Sequence, residues 1–273
     1  MDLSLTPEQE MLKTAVRHFV QQEYPKETLL QIASLTEPTP DGPWQQLTQT
    51  GWMGILIPTD YGGEGGSFTD AGVLFEELGR GPVPGPHISS AVLAALTLLE
   101  GGTEGQKKDW LPRIATGEVR MVAAVTEAEY GWLEGDVHLT AEVSIDGHSL
   151  NGKKAFVYDG ELATHLLCAA RSKESNDVGL VIVSADSAGT STRHLPGFAW
   201  NLSEIAFENV LADSAHVLGE KFAGGWDAFE RAEAKTIPVL CAYQVGGSQA
   251  IYELSVDYSR TRHQFGTPIG RFQ

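Results

Sequence analysis

The hydrophobic period of this chain changes twice, and that order constrains the fold more than any other feature. From Thr6 the apolar residues recur on helical spacing, near Val119 the spacing falls to two, and beyond Gly219 the helical spacing returns. Helices, then a β unit, then helices describe an α+β multidomain chain: an N-terminal helical domain over 1–118, a middle antiparallel β-barrel over 119–219, and a partial C-terminal helical bundle over 220–273.

In the first segment Thr6 is placed to cap a helix, with Pro7 at its first position and Gln9 completing a capping box. The pairs Met11/Leu12, Ala15/Val16 and Phe19/Val20 carry that helix to about Gln22. A Pro-rich loop over 37–43 precedes a short helix with Trp44 and Leu47, and an apolar run from Trp52 ends at Pro58. The glycine-rich stretch 60–66 reads as a loop. Ser67 and Asp70 then open a helix whose Ala71, Leu74, Phe75 and Leu78 share a face, and two more helices are expected over 91–99 and 106–114.

In the β unit Val119, Met121, Ala123 and Val125 alternate, as do Val137, Leu139, Ala141, Val143 and Ile145 before an Asp146-Gly147 hairpin turn. Strands are expected over 154–158, 166–170, 178–183 and 205–207. Two helices follow, over 225–245 and 249–262, the first kinked at Pro238.

The 19 basic against 36 acidic residues leave a net charge of −17 at pH 7, a field that repels phosphate backbones and anionic lipid, so no nucleic-acid or membrane partner is expected. Cys168 and Cys241 have neither zinc-ligand nor disulfide-framework spacing and read as two buried thiols, with no metal site. No targeting segment, apolar run of spanning length, G-x-G-x-x-G or P-loop pattern occurs, and the default location is the cytoplasm.

Several segments, in order, resemble the acyl-CoA dehydrogenase family: Ile57-Pro58-Thr59-Asp60-Tyr61-Gly62-Gly63, Val125-Thr126-Glu127, Leu150-Asn151-Gly152-Lys153-Lys154, Phe207-Glu208-Asn209-Val210, Leu218-Gly219-Glu220, and Arg262-His263-Gln264-Phe265-Gly266-Thr267-Pro268-Ile269 running to Phe272-Gln273. The resemblance implies a helical domain, a β-barrel and a four-helix bundle, with FAD in a cleft and reaching across a subunit interface. It also implies that members continue past Gln273 with two more bundle helices.

By this resemblance Val125 and Thr126 lie along the pyrimidine side of the flavin, and Gly131 belongs to the pyrophosphate-binding turn. The serine that follows in the family is Trp132 here, and Glu129 adds charge that a pyrophosphate avoids. Phe156 and Tyr158 stand where the family has its tryptophan and its N5-bonding threonine; they either face the ring or have become packing residues. Arg262, Gln264, Phe265 and Gln273 match positions that hold the adenine and pyrophosphate end of a neighbouring subunit's FAD, where a guanidinium makes forked bonds; Arg262 read alone is equally a helix-end charge.

The implied reaction is α,β-dehydrogenation of an acyl-CoA thioester to the enoyl-CoA, within fatty acid or lipid metabolism, with electron-transfer flavoprotein as acceptor. It needs a carboxylate base. Counting back without gaps from Phe265 puts the helix base position at Thr236, Glu233 lies one turn away, and Ile237 stands where many members have arginine, so no catalytic residue is assigned. The chain then reads as a self-sufficient dehydrogenase, as the non-catalytic partner in a heteromeric one, as a flavin-dependent monooxygenase on the same fold, or as a non-enzymatic assembly protein. A homo- or hetero-oligomer, dimer or tetramer, is expected, with weak or partner-dependent FAD binding.

Overall fold

Thr6 caps the first helix as its sequence requires: its hydroxyl accepts from the Gln9 amide at 3.3 Å, while the Gln9 side chain accepts from the Thr6 amide at 3.1 Å. A computed structural model describes residues 4–33, 42–129, 131–145, 147–196 and 201–272. Residues 37–41 of the Pro-rich stretch, Asp146 of the expected turn and the site residue Gln273 lie outside the described residues.

Contacts divide the chain into two units. One comprises residues 1–30, 68–84 and 238–273. It holds α1 (Pro7–Glu23), most of α2 (Lys26–Ala33), α4 (Phe68–Arg80) and the greater part of α7 (Gly225–Thr261). Helix α2 extends the helical segment beyond Gln22; it is too short to show a period by itself. Val16 and Val20 are the buried residues of α1, and Ala71, Leu74, Phe75 and Leu78 form the buried face of α4 as expected. Glu77 joins that face at 1% exposure because Arg17 donates both Nε and Nη2 to it, at 2.8 and 2.6 Å.

The two helices expected after Gly225 are one continuous helix of 37 residues. The Gly246-Gly247 pair does not break it but admits close packing: a Cβ on Gly246 would lie 1.8 Å from the Glu76 carbonyl oxygen, and one on Gly79 would lie 2.0 Å from that of Tyr243. Pro238 sits inside the helix, where it removes an N–H, and the division between the units falls there.

The other unit comprises residues 31–67 and 85–237. It contains α3 (Gly42–Thr48), a π-helical turn over Ser89–Ala94 continuing as α5 (Ala95–Gly101), α6 (Glu104–Ala115), and a curled sheet. The strands are β1 (Met121–Ala124), β2 (Thr140–Ser144), β3 (Gly147–Tyr158), β4 (His165–Ser172), β5 (Val178–Ser184), β6 (Thr190–His194) and β7 (Leu202–Asp213). Pairing runs β1-β4-β2-β3-β7-β6, with β5 on the other edge of β4.

The sheet is mixed rather than antiparallel throughout: β1 and then β2 run parallel to β4 along one edge of it. Alternation specifies which face a side chain takes but not which strand lies alongside, and the β2–β3 hairpin provides the long crossover that a parallel pair needs. β6 has mostly exposed residues and therefore no apolar signal. Ser144 pairs with Gly147 at the closed end of the hairpin, so Gly147, expected in the turn, is already the first residue of β3. Val143 and Ile145 are exposed there, past the end of the buried alternation at Ala141.

Strands β1, β4 and β5 are apolar on both faces. Met121, Leu167, Ala169, Leu180 and Ile182 meet Leu98, Trp110, Leu111, Ile114 and Phe229 of the helices. Val122, Ala124, Leu166, Cys168, Val181 and Val183 point to the barrel interior with Leu139, Leu150, Ile205 and Phe207. Cys168 is buried as expected; Cys241 is exposed, because it falls on an outward position of α7.

The glycine packing makes a paired prediction. Gly72→Ala, with no atom within 4 Å of the added Cβ, is expected to raise stability by about 1 kcal/mol from helix propensity. Gly79→Ala and Gly246→Ala are expected to lower the thermal midpoint, because each Cβ would meet backbone that cannot rotate away. Thermal unfolding of the three variants checks both signs.

Candidate functional site

Beyond Ala124 the chain leaves the β1 ladder but stays bound to β3: the Ala155 amide donates to the Thr126 carbonyl at 2.9 Å. This bond places Val125 and Thr126 beside the Lys154–Tyr158 end of β3. The Thr126 side chain is half-buried, and its hydroxyl has no hydrogen-bond partner among the described residues. On the neighbouring strand the β3–β7 register shifts between Lys154 and Val157, and within that bulge Phe156 takes φ of 56°, rare for a bulky side chain. Phe156 is half-buried, and Tyr158 is 61% exposed, so Tyr158 is not a packing residue. A hydroxyl and aromatic side chains carried on adjoining, hydrogen-bonded segments are groups that suit a flat heteroaromatic ring with a hydrogen-bonding edge, as the isoalloxazine end of FAD is.

The following turn has different chemistry. A Cβ on Gly131 would lie 2.1 Å from Cγ of Asp136, so the Asp136 carboxyl group occupies the space over that glycine. Asp136 also accepts from the Leu133 amide at 3.0 Å, while Trp132 is 62% exposed and Glu129 and Glu134 are exposed. The turn carries three acidic groups, and the cation against it, Arg171, is committed to the carbonyls of Glu134, Val137 and Asn176; the described residues around Gly131 therefore do not suit that half of the cofactor.

Donors of the right kind occur on a separate element. Arg262 follows α7, and β8 (His263–Gln264) pairs with β9 (Thr267–Pro268) around Phe265 and Gly266, both at positive φ. The turn is therefore of the primed, tight hairpin kind. It brings Arg262, Gln264 and Phe265 together on one small exposed module, with Phe265 95% exposed and edge-on to Phe272 at 6.2 Å. The Arg262 guanidinium lies 5.5 Å from the Tyr258 ring centre.

Thr236 is buried and donates its hydroxyl to the Ala232 carbonyl of its own helix at 2.8 Å; a hydroxyl so engaged is no carboxylate base. Glu233 has its carboxyl raised above the ordinary range by partial burial and by Glu230, but its residue is exposed. Ile237 is exposed as well.

Two residues of this region carry chemistry that the sequence did not single out, Lys154, read only as part of a motif, and Asp159. Lys154 is fully buried, and its Nζ donates to Glu127 Oε1 at 2.6 Å. The signal in the sequence is the adjacent pair Lys153-Lys154 within a strand: successive residues take opposite faces, so one of them must point inward. Asp159, directly after Tyr158, adopts φ of 56° and accepts from the Asn201 amide group at 3.3 Å; burial pushes its carboxyl up to about 6, against that hydrogen bond.

Residues 6–118 match the family model described as acyl-CoA dehydrogenase, N-terminal domain. The chain is 30% identical over 283 residues to acryloyl-CoA reductase (NADH) of Anaerotignum propionicum, an alignment covering 100% of this chain and 71% of that protein. The solved structure of glutaryl-coenzyme A dehydrogenase in its glutaryl-CoA complex aligns with TM-score 0.89 and 26% identity over 100% of this chain and 71% of that one. The steroid ACAD Tcur3481-Tcur3483 aligns with TM-score 0.81 and 28% identity over 97% of this chain and 70% of that one. The chain belongs to the acyl-CoA dehydrogenase family.

The raised Asp159 carboxyl predicts a pH-dependent stability. Between the ordinary value of 3.8 and about 6 the folded state holds more protons than the unfolded state, so this group's contribution becomes less favourable as pH rises through that window. Asp159→Asn is expected to raise stability at pH 7 by up to roughly 2 kcal/mol, with the difference closing by about pH 4. Denaturant melts of both proteins across that range check the sign.

Proposed function

We propose that this chain is a subunit of an FAD-dependent acyl-CoA dehydrogenase, which converts an acyl-CoA thioester to its enoyl-CoA and passes electrons to an electron-transfer flavoprotein. The observation that carries the reading is the Thr126 hydroxyl, without a hydrogen-bond partner among the described residues, on a segment bonded through its backbone to Ala155, next to the Phe156 bulge and the exposed Tyr158 in the chain. Membership in the family and the likeness to a glutaryl-CoA dehydrogenase support the substrate class. When bound, FAD accepts the hydride that leaves the β-carbon while a base takes the α-proton.

In this reading Val125, Thr126, Phe156 and Tyr158 hold and orient the ring. Arg262, Gln264 and Phe265 contact the adenine and pyrophosphate end of FAD in another subunit, in a homo- or hetero-oligomer; Gln273, outside the described residues, belongs to the same set. Gly131 is left with a role in its own turn, since the Asp136 carboxyl lies against it.

A second reading has a specific observation in its favour. Thr236 donates to its own helix, so a base at that position is lacking, and a heteromeric partner would supply the glutamate from its own chain. The relative named as a reductase of acryloyl-CoA makes the reverse direction of the same chemistry a natural comparison.

Two measurements test these readings. The 273-residue chain alone is expected not to reduce a dye acceptor with straight-chain acyl-CoA, and co-expression with a glutamate-bearing homologue is expected to restore turnover. A missing base accounts for a loss of about 10² to 10⁴ in rate; robust anaerobic dye reduction by the chain alone would refute the base assignment. Arg262→Ala is expected to weaken FAD binding by roughly 10- to 100-fold through the loss of charge-assisted bonds. Flavin fluorescence titration reads that change, and an unchanged affinity removes Arg262 from the site.

A further inference from the structure

Lys154 and Glu127 form an ion pair sealed inside the barrel, at 0% and 6% exposure. Lys154 faces inward on β3, opposite Ile205 of β7. Its Nζ donates to Glu127 Oε1 at 2.6 Å and to the Val125 carbonyl at 3.0 Å. The same Oε1 accepts from the amides of His138 and Leu139, both at 2.9 Å. With the bond from the Ala155 amide to Thr126, these contacts join three stretches of chain: 125–127, 138–139 and 154–155.

Stability alone does not account for such a pair. Burial pulls the Lys154 amine down and Glu127 only partly restores it. A pair of well-packed apolar residues would fill the space at no desolvation cost. What an apolar pair cannot do is hold a carbonyl and two amides at fixed positions. The residues tethered, Val125 and Thr126, are half-buried and are the ring-edge residues of the FAD reading, and the left-handed Phe156 comes two residues after the lysine. A bulky residue keeps that conformation only where its surroundings over-determine it.

We infer that Lys154 is a positioning residue for the flavin. Through Glu127 and the Val125 carbonyl it locks the Val125–Thr126 edge against the Phe156 bulge, so that hydroxyl and aromatic surface meet the ring as one preorganised face. This rests on the FAD reading above. The pair is neutral as a whole, so it acts by geometry rather than by delivering charge to the ring.

The test uses the full chain, FAD, and the variants Lys154→Met, Glu127→Gln and the double variant, with Lys153→Met, on the exposed neighbour, as control. Lys154→Met is expected to weaken FAD binding by roughly 10- to 100-fold, to alter the visible spectrum of bound flavin, and to speed hydrogen exchange over 125–139. It also strands a buried carboxylate and lowers the thermal midpoint. The double variant removes that charge while keeping the shape, so the midpoint is expected to recover while FAD affinity stays low. Recovery of affinity together with stability would show that the lysine only maintains the fold and would overturn the inference, as would wild-type affinity and spectrum in Lys154→Met. If the wild-type chain binds no FAD at any concentration, the FAD reading fails together with the inference; if it binds and the variants match it, only the inference fails.

Discussion

The sheet-bearing unit depends on strands that are buried on both sides. In β4, Leu166, Cys168 and Ala170 face the barrel interior while Leu167 and Ala169 face the helices, with no solvated face left. Such a strand cannot slip by one residue without exchanging two cores of different shape, so its register is fixed twice over. β1 and β5 share this property, and the segments that carry the candidate site leave the ladder at β1 or run alongside it. The precision of Val125 and Thr126 begins in the register of Met121 to Ala124 against His165 to Cys168.

Several polar groups that enter that apolar frame fasten chain to chain. Gln106 donates to the carbonyls of Ala215 and Val217 and accepts from the Gly219 amide, tying α6 to the end of the β unit. Glu127 gathers two amides and an ammonium on one oxygen. In the other unit Glu77 does the same for Arg17 on α1. Each is buried and satisfied, as a low-dielectric interior demands. The candidate site differs from these interior anchors in that the half-buried Thr126 hydroxyl has no hydrogen-bond partner among the described residues.

The residues of the proposed FAD reading are divided between elements. Val125, Thr126, Phe156 and Tyr158 lie at or beside strand ends, whereas the turn around Gly131 is acidic, with Asp136 against its glycine. The cationic and aromatic contribution appears instead on the Arg262–Phe265 hairpin, which is exposed and shaped by its own tight turn.

From the sequence alone, the order of helical and β segments, the Thr6 cap, the buried face of α4 and the motif positions were readable, because each depends on local periodicity or on neighbours a few residues apart. The tertiary structure decided the rest. Parallel pairing of β1 with β4, the absence of a break at Gly246-Gly247 and the burial of Lys154 all arise from contacts between residues far apart in the chain. A glycine pair is a break or a packing site according to what lies against it, and a lysine in a strand is solvated or sealed according to which face meets the core. Only the folded chain supplies that neighbour, here the carboxylate of Glu127 inside the barrel.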